Sequence, residues 1–352
     1  MFAQKMLAFV VARMWLNKVI LLQRFGYTHM TTITILDGGL GRELQRIGAP
    51  FSQPLWSAQA LIESPQHVKQ AHQNFVDAGA RVITVNSYAC VPFHLGEALY
   101  AEQGVTLAAK AAQIAYEVAE ESADELLVAG SIPPVQGSYR PDLFDADAAY
   151  QIASELLQAQ EKYVDIWLAE TVSSLAELAV LTKVFEQTDK PYIISFSLAD
   201  DLAQPARLRS GELVSDAAKA LIDTEAAGLF FNCSIPEVIE QGIREVNAVL
   251  EGTDRELTIG AYANSFSAIK PGHLANGALQ ETRYFSPKEY LEYAKIWQQL
   301  GATFIGGCCG IEPSHIEALT AWANESNRED EAALSQGKDT EQSAPTWWSL
   351  VA

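Results

Sequence analysis

The sequence contains few cysteines, few basic residues and no long hydrophobic run, and each shortage excludes a class of protein. Four cysteines in 352 residues are too few for a disulfide framework. We therefore expect a reducing, cytoplasmic setting, in which thiols more often serve metal binding or catalysis. The 24 basic residues are outnumbered by 44 acidic ones, and the net charge of −20 argues against nucleic acid as a partner.

Residues 1–30 form an apolar, basic segment without any acidic residue. The longest uncharged run in this segment, residues 6–12, is too short to span a bilayer, and no small-residue cleavage site follows a clean apolar stretch. We therefore expect neither a membrane partner nor a signal peptide. The segment is either a basic amphipathic surface helix or, as we favour, an extension ahead of a natural start at Met30.

Residues 325–352 form a polar tail in which apolar periodicity is lost. A segment of this composition buries little apolar surface, so we expect the tail to be mostly disordered. Between the two ends, residues 31–324 are long enough for one large domain.

Eight short apolar runs alternate with longer segments of helical periodicity in this domain. The runs cover residues 33–39, 81–88, 126–134, 164–171, 192–198, 228–234, 257–265 and 302–310. The helical segments carry start and stop signals, such as a capping box at Ser286 and Glu289 and a stop at Gly301. Eight evenly spaced strand–helix units predict a single (β/α)8 TIM barrel of the α/β class. An open doubly wound sheet is the alternative, which the lack of a G-x-G-x-x-G motif after the first strand disfavours.

Polar residues cluster at the ends of the predicted strands. They are Asp37, Asn86, Ser87, Ser131, Glu170, Ser197, Asn232, Cys233, Asn264, Cys308 and Cys309. In a (β/α)8 barrel all eight carboxyl ends meet at one mouth, where such enzymes carry out their chemistry. One polar residue can simply mark a strand end, but three of the four cysteines fall at these positions. We therefore expect the functional site at this mouth.

The cysteines predict a metal site. Glycines flank Cys308 and Cys309 in the sequence GGCCG, and they allow the chain to curl so that both sulfurs point inward. Together with Cys233, three thiolates suit tetrahedral Zn²⁺ with one open position, as in a catalytic site. The alternatives are a disulfide between Cys308 and Cys309, buried inert cysteines, or a structural four-cysteine site that includes Cys90.

Seven segments resemble the homocysteine S-methyltransferase family, the zinc-dependent barrels that include betaine– and S-methylmethionine–homocysteine methyltransferases. The segments are LDGGLGREL (36–44), PLWSA (54–58), NSY (86–88), GSIPP (130–134), AET (169–171), FNCS (231–234) and GGCCG (306–310). They follow the family's order over residues 31–323. The resemblance implies an enzyme that binds Zn²⁺ through Cys233, Cys308 and Cys309, with the thiol of homocysteine as the fourth ligand and methionine as the product.

The resemblance also implies residues that bind the amino-acid end of homocysteine. Glu170 matches the residue that holds its ammonium group. Asp37 and Gly38 lie in the matching segment after the first strand, where glycine lets backbone N–H groups approach a carboxylate. The residues alone also allow a salt-bridged strand-end acid at Glu170 and a turn at Asp37.

Three more residues are predicted to line the substrate site. Asn232 either orients Cys233 or hydrogen-bonds its sulfur. Trp56 and Tyr88 match aromatic positions near the methyl donor, where aromatic faces suit a sulfonium or quaternary ammonium group. The alternative for both aromatic residues is packing at the rim of the barrel.

The methyl donor is predicted to be a sulfonium compound, S-methylmethionine or S-adenosylmethionine. Thr171 stands where the betaine enzymes have tyrosine, and Trp56 and Tyr88 are the only strand-end aromatic residues found for a donor pocket. Asn86, Ser87, Ser131 and Asn264 are predicted to contact the amino-acid end of the donor. The chain also lacks the long C-terminal oligomerisation segment of the betaine enzymes, which favours a monomer.

Three other functions are compatible with the sequence. Glycine betaine is the alternative donor for the same reaction. A related barrel that uses methylfolate is disfavoured, because such a module usually joins further domains for which this chain has no room. A non-catalytic thiol- or zinc-binding barrel is the third, and a site for an ammonium group argues against it.

If residues 1–30 are an extension, a chain that begins at Met30 should show the same thermal unfolding midpoint and the same activity as the full chain. Calorimetry and an activity assay check this expectation. A midpoint lower by several degrees would instead show that the segment packs on the barrel.

Overall fold

Eight parallel strands form the barrel of this protein. A computed structural model describes residues 32–202, 205–270, 272 and 280–337. The strands are β1 (Thr34–Ile35), β2 (Val82–Thr84), β3 (Leu127–Ile132), β4 (Ile166–Val172), β5 (Tyr192–Phe196), β6 (Gly228–Asn232), β7 (Thr258–Tyr262) and β8 (Ala302–Ile305). They form one sheet in the order β1-β8-β7-β6-β5-β4-β3-β2, and a parallel bridge between Leu36 and Val82 joins its two edges. The predicted TIM barrel is confirmed.

Helices connect the strands and cover the outside of the sheet. Their bounds are Leu40–Arg46, Ser57–Glu63, Pro65–Asp77, Pro92–Leu95, Glu97–Leu99, Val105–Glu121, Ala146–Gln160, Leu175–Phe185, Val214–Ile222, Pro236–Leu250, Pro287–Gln299 and Pro313–Gly337. The predicted capping box is present, because the hydroxyl of Ser286 accepts from the amide of Glu289 at 3.2 Å and the Glu289 carboxylate accepts from the amide of Ser286 at 2.8 Å. No helix in the described ranges is both long and apolar enough to cross a membrane.

The apolar core has two layers. A small cluster fills the barrel interior, and it includes Leu36, Ile166, Leu168, Ile193, Phe230 and Phe304. A much larger cluster lies between the sheet and the helices. Because the strands are buried on both faces, they read as continuous apolar runs in the sequence.

The last strand is shorter than predicted, and this places two cysteines in a loop. β8 ends at Ile305, whereas the predicted run extends to residue 310. Beyond the strand, the amide of Gly307 donates to the carbonyl oxygen of Asp37 at 2.9 Å, and the amide of Cys308 donates to that of Ala263 at 2.8 Å. The chain therefore stays hydrogen-bonded to the segments that follow β1 and β7, although it no longer forms a regular strand.

The C-terminal helix continues past the predicted start of the tail. The helix Pro313–Gly337 includes residue 325, where we expected disorder to begin. Two hydrogen bonds fix it to the start of β1, because the side-chain amide of Asn327 accepts from the amide of Ile33 at 2.8 Å and donates to its carbonyl oxygen at 3.2 Å. Residues 1–31 and 338–352, which include the predicted extension and most of the tail, lie outside the described residues.

Candidate active site

A cavity of about 230 Å³ lies at the carboxyl ends of the strands. Ten of the thirteen residues for which the sequence predicted a metal or substrate contact line it: Asp37, Gly38, Trp56, Asn86, Tyr88, Glu170, Asn232, Cys233, Cys308 and Cys309. These residues come from β4, β6 and the segments that follow β1, β2, β6 and β8. The fold thus collects residues from the whole chain around one space.

Three cysteine sulfurs form a tight group on the wall of this cavity. The Sγ atoms of Cys233, Cys308 and Cys309 all lie within 4.8 Å of one another. Those of Cys308 and Cys309 are 4.0 Å apart, while Cys233 and Cys308 are joined as a disulfide with their Cα atoms 5.8 Å apart. The predicted alternative of a disulfide between Cys308 and Cys309 is therefore not what the structure shows.

The sulfur group fits one zinc ion when its cysteines are reduced. Zinc–thiolate bonds are about 2.3 Å long, so three thiolates of a tetrahedral site lie about 3.8 Å apart. The observed spread of up to 4.8 Å needs only small side-chain movements to reach this geometry. Cys90 does not belong to the group and is fully buried in the outer core, where burial raises the pKa of its thiol to about 12.

The cysteine loop is held by close backbone contact with the loop after β1. The amide of Gly39 donates to the carbonyl oxygen of Ile311 at 2.9 Å. A Cβ at Gly39 would lie 2.6 Å from the carbonyl oxygen of Cys308, and one at Gly38 would lie 2.5 Å from that of Ile311. Glycine at these positions therefore lets two backbones pack together, and the N–H of Gly39 is not available to a substrate carboxylate.

Two buried carboxylates face the same cavity. Glu170 accepts from the hydroxyl of Ser131 at 2.7 Å and from that of Tyr262 at 3.4 Å. Asp37 accepts from the amide of Thr84 at 2.7 Å and from its hydroxyl at 3.1 Å. Burial raises the pKa of Glu170 to about 7 and that of Asp37 to about 8.

Neither of these carboxylates forms an ion pair with a side chain in the described part of the protein. This excludes the salt-bridged acid that the sequence allowed as an alternative for Glu170. A buried carboxyl group without a cation is a favourable site for the ammonium group of a ligand, because the ligand then supplies the missing charge.

Asn232 supports the backbone next to Glu170 and does not hydrogen-bond the sulfur of Cys233. Its side-chain oxygen accepts from the amide of Thr171 at 2.8 Å and from the hydroxyl of Ser195 at 2.9 Å, and its side-chain amide donates to the hydroxyl of Thr171 at 3.0 Å. Thr171 has a left-handed backbone with φ +58°. The hydrogen bonds of Asn232 stabilise this unfavourable conformation and so fix the end of β4.

The aromatic wall of the cavity is larger than the sequence indicated. Besides Trp56 and Tyr88, it contains Phe51, Tyr139, Tyr262 and Phe266. Tyr262 ends β7, so the rule that located the polar strand ends could have found it. The other three lie in loops, where periodicity carries no signal. The prediction that Trp56 and Tyr88 are the only strand-end aromatic residues for a donor pocket is wrong, because Tyr262 is a third.

Three of the four polar residues predicted to contact the donor do not line the cavity. Asn86 lines the cavity. The hydroxyl of Ser87 donates to the carbonyl oxygen of Ser131 at 3.1 Å, and the hydroxyl of Ser131 donates to Glu170. The side-chain oxygen of Asn264 accepts from the amide of Phe266 at 3.1 Å. Neither Ser87, Ser131 nor Asn264 lines the cavity, because these residues support the strand ends behind it.

Comparison with known proteins identifies relatives over most of the chain. The family model described as homocysteine S-methyltransferase matches residues 34–323. Homocysteine S-methyltransferase 1 of Brassica oleracea var. italica is 27% identical over 317 residues, which cover 81% of this chain and 92% of the relative. Homocysteine S-methyltransferase YbgG of Bacillus subtilis (strain 168) is 28% identical over 317 residues, covering 83% of this chain and 94% of the relative.

A solved structure shows the same architecture. The metallated form of the homocysteine methyltransferase MmuM from Escherichia coli superimposes with a TM-score of 0.68 at 25% sequence identity, covering 86% of this chain and 99% of that one. The fold and the sequence comparisons therefore point to the same family.

The close packing of the two loops predicts that one methyl group added at Gly39 lowers the stability of the protein. Gly39→Ala should lower the free energy of unfolding by about 1–3 kcal/mol, because the added Cβ meets a backbone oxygen that cannot turn away. Gly39 has a negative φ of −73°, so alanine here introduces no left-handed strain and the change mainly tests the contact. Urea denaturation measures the change.

Gly41→Ala is the matched control for Gly39→Ala. Its Cβ would meet only the ring edge of Phe51 at 3.3 Å, and alanine favours the helix Leu40–Arg46. We expect this variant to change stability by no more than about 0.5 kcal/mol. Equal stability of both variants and the wild type would show that the two loops do not pack as described.

Proposed function

The chain belongs to the homocysteine S-methyltransferase family, and we propose that it uses Zn²⁺ to transfer a methyl group from a sulfonium donor to homocysteine, giving methionine. The group of three sulfurs beside two unpaired buried carboxylates carries this proposal. Methyl transfer to homocysteine is the activity of the family. The metal, the donor and the roles of individual residues are proposed for this chain from its own geometry.

Cys233, Cys308 and Cys309 would hold the zinc ion. When bound by three thiolates, zinc supplies a Lewis acid that lowers the pKa of a thiol ligand and keeps its sulfur electron-rich. Cys309 needs such a partner, because burial raises the pKa of its thiol to about 11 in the metal-free chain. A reducing compartment suits this site, and the cytoplasmic location remains a prediction.

Glu170 and Asp37 would bind the amino-acid end of homocysteine. The ammonium group of the substrate supplies the cation that both carboxyl groups lack, and its binding favours their ionised forms. Ser131 and Tyr262 hold the Glu170 carboxylate in place, and Thr84 holds that of Asp37. These contacts orient the substrate so that its sulfur lies toward the cysteine group.

The aromatic wall would bind the donor and exclude water around the transferred methyl group. Methyl transfer is an in-line displacement, in which the substrate sulfur forms a bond to the methyl carbon as the bond to the donor sulfur breaks. The leaving group is a neutral thioether, so no general acid is needed. The aromatic faces of Trp56, Tyr88 and Tyr139 stabilise the positive charge of the donor through cation–π attraction.

The donor is proposed to be S-methylmethionine or S-adenosylmethionine. Arg42, Asn86 and Gln280 line the cavity and offer polar contacts for the amino-acid end that these donors carry. Glycine betaine is the second candidate, because an aromatic wall of six residues also suits a quaternary ammonium group.

The metal site is tested by replacing each cysteine in turn. Cys233→Ala, Cys308→Ala and Cys309→Ala should each lose bound zinc and methionine formation, because two thiolates hold zinc much more weakly than three. Cys90→Ala should retain both, since Cys90 lies outside the sulfur group. Elemental analysis of the purified protein and a methionine assay measure the two properties.

Three outcomes of this cysteine series contradict the proposal. Full zinc binding by any of the first three variants, or zinc loss from Cys90→Ala alone, overturns the ligand assignment. A wild-type protein that binds one zinc ion per chain but forms no methionine with any donor is instead a non-catalytic zinc-binding barrel.

The role of Glu170 is tested by Glu170→Gln. Losing a charge-assisted contact worth about 1.5–3 kcal/mol should weaken homocysteine binding by roughly 10- to 100-fold, with zinc retained. Because an ammonium group binds the ionised carboxyl, wild-type affinity should also fall as pH drops below about 7, where Glu170 becomes protonated. Titration calorimetry at several pH values should show that the variant loses this part of the pH dependence.

Glu177→Gln is the matched control for Glu170→Gln. Glu177 is also a buried acid whose pKa burial raises to about 7, but it does not line the cavity. We expect unchanged homocysteine affinity in this variant. Equal affinity of the wild type for homocysteine and for thiols without an ammonium group would contradict the role of Glu170.

The donor class is tested by comparing methionine formation from S-methylmethionine, S-adenosylmethionine and glycine betaine at equal concentration. We expect activity with one or both sulfonium donors and little with betaine. A clear preference for betaine would reverse the donor assignment while leaving the homocysteine site unaffected.

A further inference from the structure

An ion pair with buried side chains lies directly behind Cys233, outside the cavity wall. It joins Arg209 and Asp200, both in the connection between β5 and β6, with 3.0 Å between Nη2 and Oδ2 and side chains that are 6% and 0% exposed. Among the ion pairs of the described ranges, it is the one in which both partners are buried. Burying two charges is costly unless further hydrogen bonds satisfy them, so the additional partners of this pair define what it holds.

Asp200 holds the backbone of two loops at the barrel mouth. Its Oδ1 accepts from the amide of Ile235 at 3.0 Å, and its Oδ2 accepts from the amide of Ile269 at 2.8 Å. Ile235 follows Cys233 by two residues, and Ile269 lies in the loop after β7. The carboxylate therefore fixes the chain immediately beyond the cysteine.

Arg209 holds the peptide group of Cys233 itself. Its Nη2 donates to the carbonyl oxygen of Cys233 at 3.2 Å, and its Nε donates to the hydroxyl of Ser197 at 3.1 Å. The hydroxyl of Ser197 donates to the same Cys233 oxygen at 3.2 Å. The carbonyl oxygen of Cys233 thus accepts two hydrogen bonds, one from Arg209 and one from Ser197.

Cys233 needs such support because its backbone is left-handed, with φ +47°. This conformation is unfavourable for a residue with a side chain and persists only where the surroundings fix it. The side-chain direction of Cys233 depends on this backbone. If the backbone relaxed to an ordinary conformation, its Sγ would turn away from the other two sulfurs.

The same guanidinium group also contacts the cavity wall. Its Cζ lies 4.8 Å from the ring centroid of Tyr139, a residue that lines the cavity and is itself left-handed with φ +64°. A planar guanidinium can stack on an aromatic ring while its edge donates hydrogen bonds, which an ammonium group cannot do. Arginine is therefore required where lysine would keep only the charge.

We propose that Arg209 and Asp200 are positioning residues that hold Cys233 in its left-handed conformation and so fix its sulfur beside those of Cys308 and Cys309. Neither of the pair lines the cavity. The consequence for zinc rests on the proposed function, whereas the position of the sulfur is a property of the metal-free chain as well.

Three variants separate positioning from general stability. Arg209→Met removes the donors, and Arg209→Lys keeps the charge but not the planar fork. The double variant Arg209→Met/Asp200→Asn removes both charges, which avoids an unpaired buried charge and should recover much of the unfolding midpoint lost in Arg209→Met.

Arg255→Met is the matched control. Arg255 donates to the carbonyl oxygens of Thr224 and Ala226, just before β6, so it supports the opposite end of the strand that carries Cys233. Its loss should lower the unfolding midpoint without moving the cysteine.

The first readout is zinc affinity, measured by competition with a chromophoric chelator. Arg209→Met, Arg209→Lys and the double variant should each bind zinc about 10- to 100-fold more weakly than the wild type, as is usual when a residue that supports a ligand is removed. Arg255→Met should stay within about twofold. The absorption of the Co²⁺-substituted protein should shift in the Arg209 variants alone, since it reports the arrangement of the sulfurs.

The second readout needs no metal. In metal-free protein that carries Cys309→Ser, oxidised glutathione takes two electrons and two protons from the thiols of Cys233 and Cys308, giving one disulfide and two molecules of reduced glutathione. The ratio of reduced to oxidised glutathione at which half of the protein is oxidised gives the effective concentration of the Cys233 thiol relative to the Cys308 thiol. This value should fall at least about tenfold in Arg209→Met and stay unchanged in Arg255→Met.

The outcomes distinguish this inference from the proposed function. If the wild type binds zinc and the Arg209 variants match it in both readouts, the positioning role is wrong and the zinc site stands. If the wild type binds no zinc but the effective thiol concentration is lower in Arg209→Met than in the wild type, the zinc site is wrong and the positioning role stands. The inference is also overturned if the double variant regains wild-type zinc affinity and effective thiol concentration along with its unfolding midpoint. The ion pair would then serve only the stability of the fold.

Discussion

The closure of the ring between its first and last strands is the constraint on which the site depends. β1 pairs with β8 through Thr34 opposite Phe304 and Ile35 opposite Ile305, so the loops that follow these two strands must pass each other. They do so with backbones in contact, which only glycine permits. The contact places Asp37 next to the cysteine loop, although the two segments are separated by almost the whole domain in sequence.

Burial gives this mouth an unusual electrostatic character. Two carboxyl groups and three cysteine sulfurs share one cavity, and burial raises the pKa of Glu170 to about 7, of Asp37 to about 8 and of Cys309 to about 11. The negative charge of Glu170 also raises the pKa of Asp37 and that of Cys309, because like charges oppose each other's ionisation. The site is therefore suited to ligands that bring positive charge, such as a divalent metal ion for the sulfurs and an ammonium group for the carboxyl groups. Binding of either would shift the neighbouring groups toward their ionised forms.

The strain in the backbone has a spatial pattern. The four non-glycine residues with positive φ in the described part of the chain are Trp56, Tyr139, Thr171 and Cys233. Three line the cavity, and Thr171 follows Glu170 at the end of β4. Each conformation costs free energy that hydrogen bonds and packing around it offset, as Asn232 does for Thr171. Such strain is commonly stored where side chains must be aimed precisely at a ligand.

The sequence by itself determined the barrel and the chemistry-bearing residues of the mouth. Apolar runs, helix caps and polar strand ends are local signals, and the joint occurrence of FNCS and GGCCG needed no knowledge of contacts. Ten of the thirteen residues predicted to contact metal or substrate line one cavity for this reason. The tertiary structure alone decided what each residue contacts. Asn232 turned toward Thr171, the glycines of the first loop served backbone packing, and loop residues such as Phe51 and Tyr139 completed the wall. The ion pair behind Cys233 could not be predicted from the sequence either. Hydrogen bonds and packing between distant segments depend on distances that no local sequence pattern encodes.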